Sequence, residues 1–160
     1  MATMSAGQAM NFSLPEAAIL ARLTDKLMTT DACVRAVLTA PELAAVAEER
    51  QAAPAVYLVY DGPQFQGGEG AAYRVTVVHR WIVTVAVASV ARMRESASRH
   101  SEAAGIIPRV VEALYGWKPL PGWKALVPFT PPKPVYSPGF AYFPLGFQTS
   151  ATGAVLAQQP

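Results

Sequence analysis

From Tyr73 to Val87 every second residue is large or apolar: Tyr73, Val75, Val77, His79, Trp81, Val83, Val85 and Val87. Side chains of a β-strand point alternately to its two faces, so this period of two predicts one unusually long strand with a face meant for a core. The other face is mixed. Arg74, Thr76, Arg80 and Thr84 lie among Val78, Ile82, Ala86 and Ala88, a surface neither plainly solvated nor plainly buried, which suits a protein partner.

A chain of 160 residues is long enough for one domain that buries roughly 70% of the surface its unfolded form exposes. Apolar residues make up 52% and charged residues 15%, a balance that suggests some apolar surface is hidden by association. The net charge of +2 is too small to imply sequence-specific nucleic-acid binding, which concentrates Lys and Arg on one face. The basic signal is local, at Arg92, Arg94, Arg99 and Arg109. The single Cys33, between Ala32 and Val34, reads as a small buried hydrophobe. The stretch MATMSAGQAMNFS has no basic region leading into an apolar one, so cytosolic synthesis is expected. The most apolar run, Ile82 to Ala91, is about half the length of a membrane helix, and no membrane partner is expected.

Residues 1–12 read as a flexible arm. Ser13-Leu14-Pro15-Glu16 has the form of a capping box, followed by Ile19, Leu20, Leu23 and Leu27 at helical spacing, which predicts a helix over 14–28. Thr39-Ala40-Pro41-Glu42 repeats the signal ahead of a second helix from 40 to about 50, with Val34 to Leu38 as a short strand before it. Residues 55–60 are β-branched and aromatic and meet a stop at Asp61-Gly62-Pro63. A flexible loop from Gln64 to Ala72, containing Gly67 and Gly68, then joins this strand to the long one as an antiparallel pair. Ala91 to Ser101 reads as a loop or frayed helix start. A third helix follows, with Ile106, Ile107, Val110, Val111 and Leu114 as its stripe, Pro108 as a kink or a start, and Gly116 at its end. Two extended runs, 123–129 and 140–149, follow in a proline-rich stretch. Pro144 puts the second at an edge or a bulge. Residues 150–160 read as a weakly patterned tail.

Chemistry is sparse. His79, His100 and Cys33 are too few and too scattered for a zinc site, and His79 beside Trp81 reads as a hydrogen-bonded core histidine. Gly67 to Gly70 lacks the Gly-Lys-Ser/Thr ending of a phosphate loop, and no nucleophile elbow occurs. Glu48-Glu49, Glu102 and Glu112 fit solvated helix surfaces. Pro131-Pro132-Lys133-Pro134 reads as an ordered connection between strands rather than a polyproline ligand. No enzyme activity, metal or cofactor is expected.

The order of elements carries more. An amphipathic helix precedes Val56-Tyr57-Leu58-Val59-Tyr60-Asp61-Gly62 and His79-Arg80-Trp81-Ile82-Val83-Thr84-Val85. Val110-Val111-Glu112-Ala113-Leu114-Tyr115-Gly116-Trp117-Lys118-Pro119 and Pro138-Gly139-Phe140-Ala141-Tyr142-Phe143-Pro144-Leu145-Gly146-Phe147 then follow. Over residues 14–149 this resembles the tail terminator, or tail completion, proteins of Mu-like long-tailed bacteriophages. The resemblance implies an α+β fold, an antiparallel sheet with helices on one side. It also implies a structural role: a six-membered ring that ends growth of the tail tube and joins the head. The partners so implied are further copies of the chain, the tail tube protein and the head-to-tail connector, with DNA passing through the ring, in the virion at the head-to-tail junction.

The expected organisation is an arm over 1–12, one α+β domain over 13–149, and a tail over 150–160. The expected subunit or tube interface comprises Arg74, Val78, Arg80 and Ile82 on the mixed face, with Gly67, Gly68, Arg92 and Arg94 in the two flanking segments. A homo-oligomeric adaptor is the competing reading. A small-ligand-binding domain is another, and a large internal pocket would mark it.

Overall fold

A computed structural model of the protein describes residues 3–29, 31–45, 47, 50–66, 74–88 and 96–155. In chain order the elements are α1 (Ala6–Met10), α2 (Ser13–Thr24) running into a wider π-helical turn (Asp25–Thr29), β1 (Ala36–Thr39), α3 (Ala40–Ala44), β2 (Ala55–Gln66) and β3 (Arg74–Ala88). Helix α4 (Ser96–Leu114) and strands β4 (Val127–Phe129), β5 (Val135–Tyr136) and β6 (Phe140–Ala154) complete the chain. The sheet runs β1-β2-β3-β6-β4, with β5 also on β6. Only β1 and β2 are parallel; the other pairs are antiparallel. This is the expected α+β domain.

The long strand forms as its period requires and occupies the middle of the sheet, between β2 and β6. Its core face, Val77, His79, Trp81, Val83, Val85 and Val87, is fully buried. Val56 and Leu58 of β2 and Phe147 of β6 continue that face, and Ile19 and Leu23 of α2 and Leu27 of the π-turn cover it with Ala103, Ile106, Val110, Ala113 and Leu114 from α4. Each large aliphatic side chain so buried stabilises the fold by about 1.5–3 kcal/mol.

β2 does not stop at Asp61. The chain inserts one extra residue there, so that Tyr60 pairs with Trp81 and Gly62 with Arg80, and the strand continues to Gln66. Gly62, at φ 102°, supplies the left-handed backbone of this β-bulge. The bulge shifts which residues share the side of His79 and Val77, from Val56, Leu58 and Tyr60 to the exposed Pro63 and Phe65, and that break in alternation imitates a strand end. Pro144 is tolerated for a related reason. The outer partners of β6 end at Tyr142 and resume at Gly146, so the proline sits where that side has no ladder to complete.

Both chain ends depart from expectation. Residues read as a flexible arm contain α1, opened by a capping box in which Ser5 Oγ accepts from the Gln8 backbone N–H and the Gln8 side chain accepts from Ser5 N–H. Residues read as a tail prolong β6 to Ala154, and the two meet: Ala154 N–H donates to the Met4 carbonyl at 2.9 Å. A Cβ on Gly153 would strike the Ser5 carbonyl and lie 2.6 Å from Ala6 Cα, so only glycine lets α1 pack this closely. Ser13 is not a cap. The first helical turn there is preceded by Phe12, and Ser13 Oγ instead donates to Asn11 Oδ1 at 2.6 Å.

The second helix spans Ala40–Ala44 rather than 40 to about 50. The third begins at Ser96 and carries Pro108 in its interior, because the stripe Ala103, Ile106, Val110, Ala113 and Leu114 continues through it and offsets the one lost backbone bond. Arg109 fastens this helix to the first, donating to the carbonyls of Lys26 at 2.9 Å and of Asp31 where the chain leaves the π-turn.

Candidate functional site

With α1, α2 and α4 on one face and α3 against the β1–β2 edge, the middle of the other face, over β3 and β6, carries no helix among the described residues. Its middle is half-buried and chemically mixed: Val59 of β2, Arg80, Ile82 and Thr84 of β3, and Pro144 and Gln148 of β6. Arg80 is held from two sides. Its Nε lies 3.7 Å from Asp61 Oδ2 at the bulge, and its guanidinium carbon sits 3.7 Å from the centroid of the Phe129 ring. Phe129 crosses Gly146 closely, where a Cβ would stand 2.7 Å from the Phe129 carbonyl and 2.8 Å from its ring. Glycine, aromatic ring and guanidinium therefore form a stack on the sheet surface. The Nε is buried with no hydrogen-bond partner, so its contact with Asp61 is an ion pair and not a hydrogen bond.

The expected interface residues divide clearly. Arg80 and Ile82 share this face and remain partly accessible; Arg74 is exposed at the start of β3. Val78 shares the face but is only 6% exposed, so it has little area left for a partner. The carboxylate facing Arg80 belongs to the same chain, at Asp61. Gly67, Gly68, Arg92 and Arg94 lie outside the described residues.

Sequence reasoning missed a second surface. Val111 was expected in the buried stripe of the third helix but is 37% exposed, and Tyr115 is 61% exposed. Both line an apolar groove of about 160 Å³ with Pro128, Phe129, Pro131 and Leu145. A helical wheel over 101–115 would have found this, because one full side of the helix carries Ala104, Pro108, Val111 and Tyr115 where an ordinary surface helix carries charge.

His79 is the core histidine that was expected. It is 1% exposed, with Nδ1 2.7 Å from the Tyr60 hydroxyl and Nε2 2.8 Å from the Ala9 carbonyl. The carbonyl can only accept, so Nε2 carries the proton and Nδ1 accepts from Tyr60. Burial lowers the His79 pKa against the opposing effect of the Ala9 bond. Burial likewise raises those of Tyr60, Tyr57 and Cys33. Trp81 Nε1 donates to Glu16 at 3.1 Å, and Phe12 stacks on Tyr60 at 4.0 Å. These contacts tie the N-terminal helices to the sheet.

The family model for phage tail terminator protein matches residues 10–154, from the last residue of α1 to the last of β6. The chain belongs to this family. It is a family of structural phage proteins, so the role is in tail assembly and the place is the virion tail. No curated protein matches the chain in sequence. Among the described residues no helix is long and apolar enough to cross a membrane, and no group of three His, Cys, Asp or Glu side chains stands together. A hollow of about 300 Å³ between Lys26, Asp31, Arg109 and Glu112 is open to solvent. Its Arg109 is bonded to backbone carbonyls, unlike the enclosed apolar pocket with convergent polar groups that a small ligand needs.

Proposed function

We propose that this tail terminator closes into a ring, six-membered to match a sixfold tube, on the end of the tail. There it stops addition of tail tube protein and presents the surface that receives the head-to-tail connector, with DNA passing through the ring. The observation that carries this reading is the match of the tail terminator family to nearly the whole fold. The half-apolar sheet face without a helix supports it, because a monomer has no use for such a face. The order of elements supports a Mu-like phage as the source.

Closed rings of more than two subunits need head-to-tail contacts between unlike patches, and a cap needs its outer rim to refuse another tube subunit. Tails assembled without the protein are expected to overgrow and fail to take heads. Tails assembled with it should end in a single ring layer by electron microscopy. Tails of normal length that join heads in its absence would contradict the proposal, as would an open stack of many layers.

A further inference from the structure

A ring needs two unlike patches on each subunit, and the fold offers two of different character on either side of the β4/β6 edge. Helix α4 packs on the sheet through Ile106, Val110, Ala113 and Leu114; on its outer side Val111 and Tyr115 lie on the flank toward Phe129 and Leu145, and Glu112 on the flank toward Lys26 and Asp31. Arg80 and Ile82 face away from the helices. The outer side of α4 is unusual for a helix in water. Among the described side chains Ala104, Pro108, Val111 and Tyr115 are exposed along it, and the exposed charges over 101–115 are Glu102 and Glu112. The basic residue of this stretch, Arg109, is turned to the Lys26 and Asp31 carbonyls. The sheet face has the opposite character: half-buried Val59 and Ile82, with Arg80 and Arg74 against the single acid Asp61.

We propose that the outer side of α4 docks on the helix-free sheet face of a second copy of the chain, Val111 and Tyr115 against Val59 and Ile82, and Glu112 toward Arg80. The proposal rests on the ring reading and specifies its contact. Three observations favour a second copy as occupant. Among the described side chains the patches are opposite in charge, Glu112 makes no ion pair within its own chain among the described residues, and the small residues Ala104 and Gly105 let a helix approach a sheet closely. Docking places a helix on each side of the sheet, the layered arrangement in which both faces of a sheet are covered. Arg80 is already stacked on Phe129, so its guanidinium is ordered before the partner arrives and less freedom is lost on binding.

The test is a charge exchange read on full-length protein at tail-tube ends by electron microscopy, with circular dichroism and melting temperature as folding controls. Arg80→Glu alone and Glu112→Arg alone each juxtapose like charges, and each should lower the fraction of ends carrying a ring by about tenfold or more. The double variant should restore rings, and so should an equal mixture of the two single variants, since an even-membered ring can alternate them with every contact matched. The mixture also shows that the pair acts between chains. Should Arg80→Glu disturb folding through Phe129, Tyr115→Glu replaces it as the disruptive variant, with the same expected loss. Rings at the wild-type level in the single variants would overturn this contact and leave the ring standing. Loss in the singles without recovery in the double variant and in the mixture would also overturn it. If the wild-type chain forms no ring, the ring reading fails and this contact with it.

Discussion

The two faces of β3 carry similar residues and meet different fates. Val83 and Ile82 are neighbours, both aliphatic and β-branched, yet Val83 is wholly enclosed between the sheet and the helices while Ile82 stays half-buried between Val59 and Gly146. What separates them is the partner each face finds within one chain. The core face receives the stripes of two amphipathic helices. Around Arg80 and Ile82 the other face receives side chains of its own sheet and the Phe129 ring and stays partly accessible, whereas farther along the same face Ala55, Tyr57 and Ala86 are buried with Leu38 and Tyr142. The part of this face around Ile82 is thus apolar enough to bury and yet partly accessible, the character that the proposed assembly surface requires.

The strongest challenge to this comparison is a charge placed on each side in turn. Val83→Asp should unfold the monomer, because an unpaired carboxylate among aliphatic groups costs more than about 3 kcal/mol. Loss of the cooperative thermal transition would register it. A folded Val83→Asp variant with an unchanged melting temperature would mean that the helix-covered face is not the core.

Next in size are the two glycines that permit close approach. Gly146→Val should cost about 1–3 kcal/mol in chemical denaturation by forcing Phe129 off the sheet and Arg80 off Phe129. Gly153→Ala should cost a similar amount with a different signature. The helix α1 would lift, and faster hydrogen exchange at residues 5–12 would report it while β3 amides stay protected. Uniform loss of protection would show instead that α1 and the sheet unfold as one unit.

A smaller effect follows from His79 on the core face. Its pKa is lowered in the folded state by burial, so the unfolded chain binds the extra proton first. The stability this group contributes is complete above the ordinary imidazole value of about 6.5 and is lost as pH falls through the folded-state value. Denaturation between pH 7.5 and 5.5 should show stability falling toward acid by up to about 1.4 kcal/mol per pH unit, with a shallower slope in His79→Gln. Equal slopes in both proteins would remove His79 as the cause.

Much of the fold was legible because its strongest signals are local. The period of two over 73–87 and the helical stripes at Ile19, Leu23, Leu27 and at Ile106, Val110, Leu114 name both sides of the core before any contact is known. The ends were harder. Ser5 and Gln8 form a capping box of the same type as the one sought at Ser13, but five residues of helix are stable only through Gly153, 148 positions away or thereabouts in the chain, and no local pattern reveals that approach. The bulge at Asp61 was misread for a similar reason, since a turn residue followed by Gly-Pro looks alike whether a strand ends or buckles. Of the candidate surface, Arg80 and Ile82 were legible from alternation alone. The Phe129 stack on Gly146 was not, because it joins β3 to strands some 50 to 65 residues away. The outer side of α4 is legible in Ala104, Pro108, Val111 and Tyr115, but Val111 adjoins Val110 of the inner stripe and is not separated from it by its apolar character alone.

The most direct measurement is Ile82→Asp, read twice on the same preparation. Circular dichroism and the melting temperature of the monomer should change little, because the new carboxylate can reach water on the helix-free face. The fraction of tail-tube ends carrying a ring, counted by electron microscopy, should fall to background. A variant that melts as far below wild type as Val83→Asp, or one that folds and still forms rings at the wild-type level, would contradict the assignment of this face to assembly.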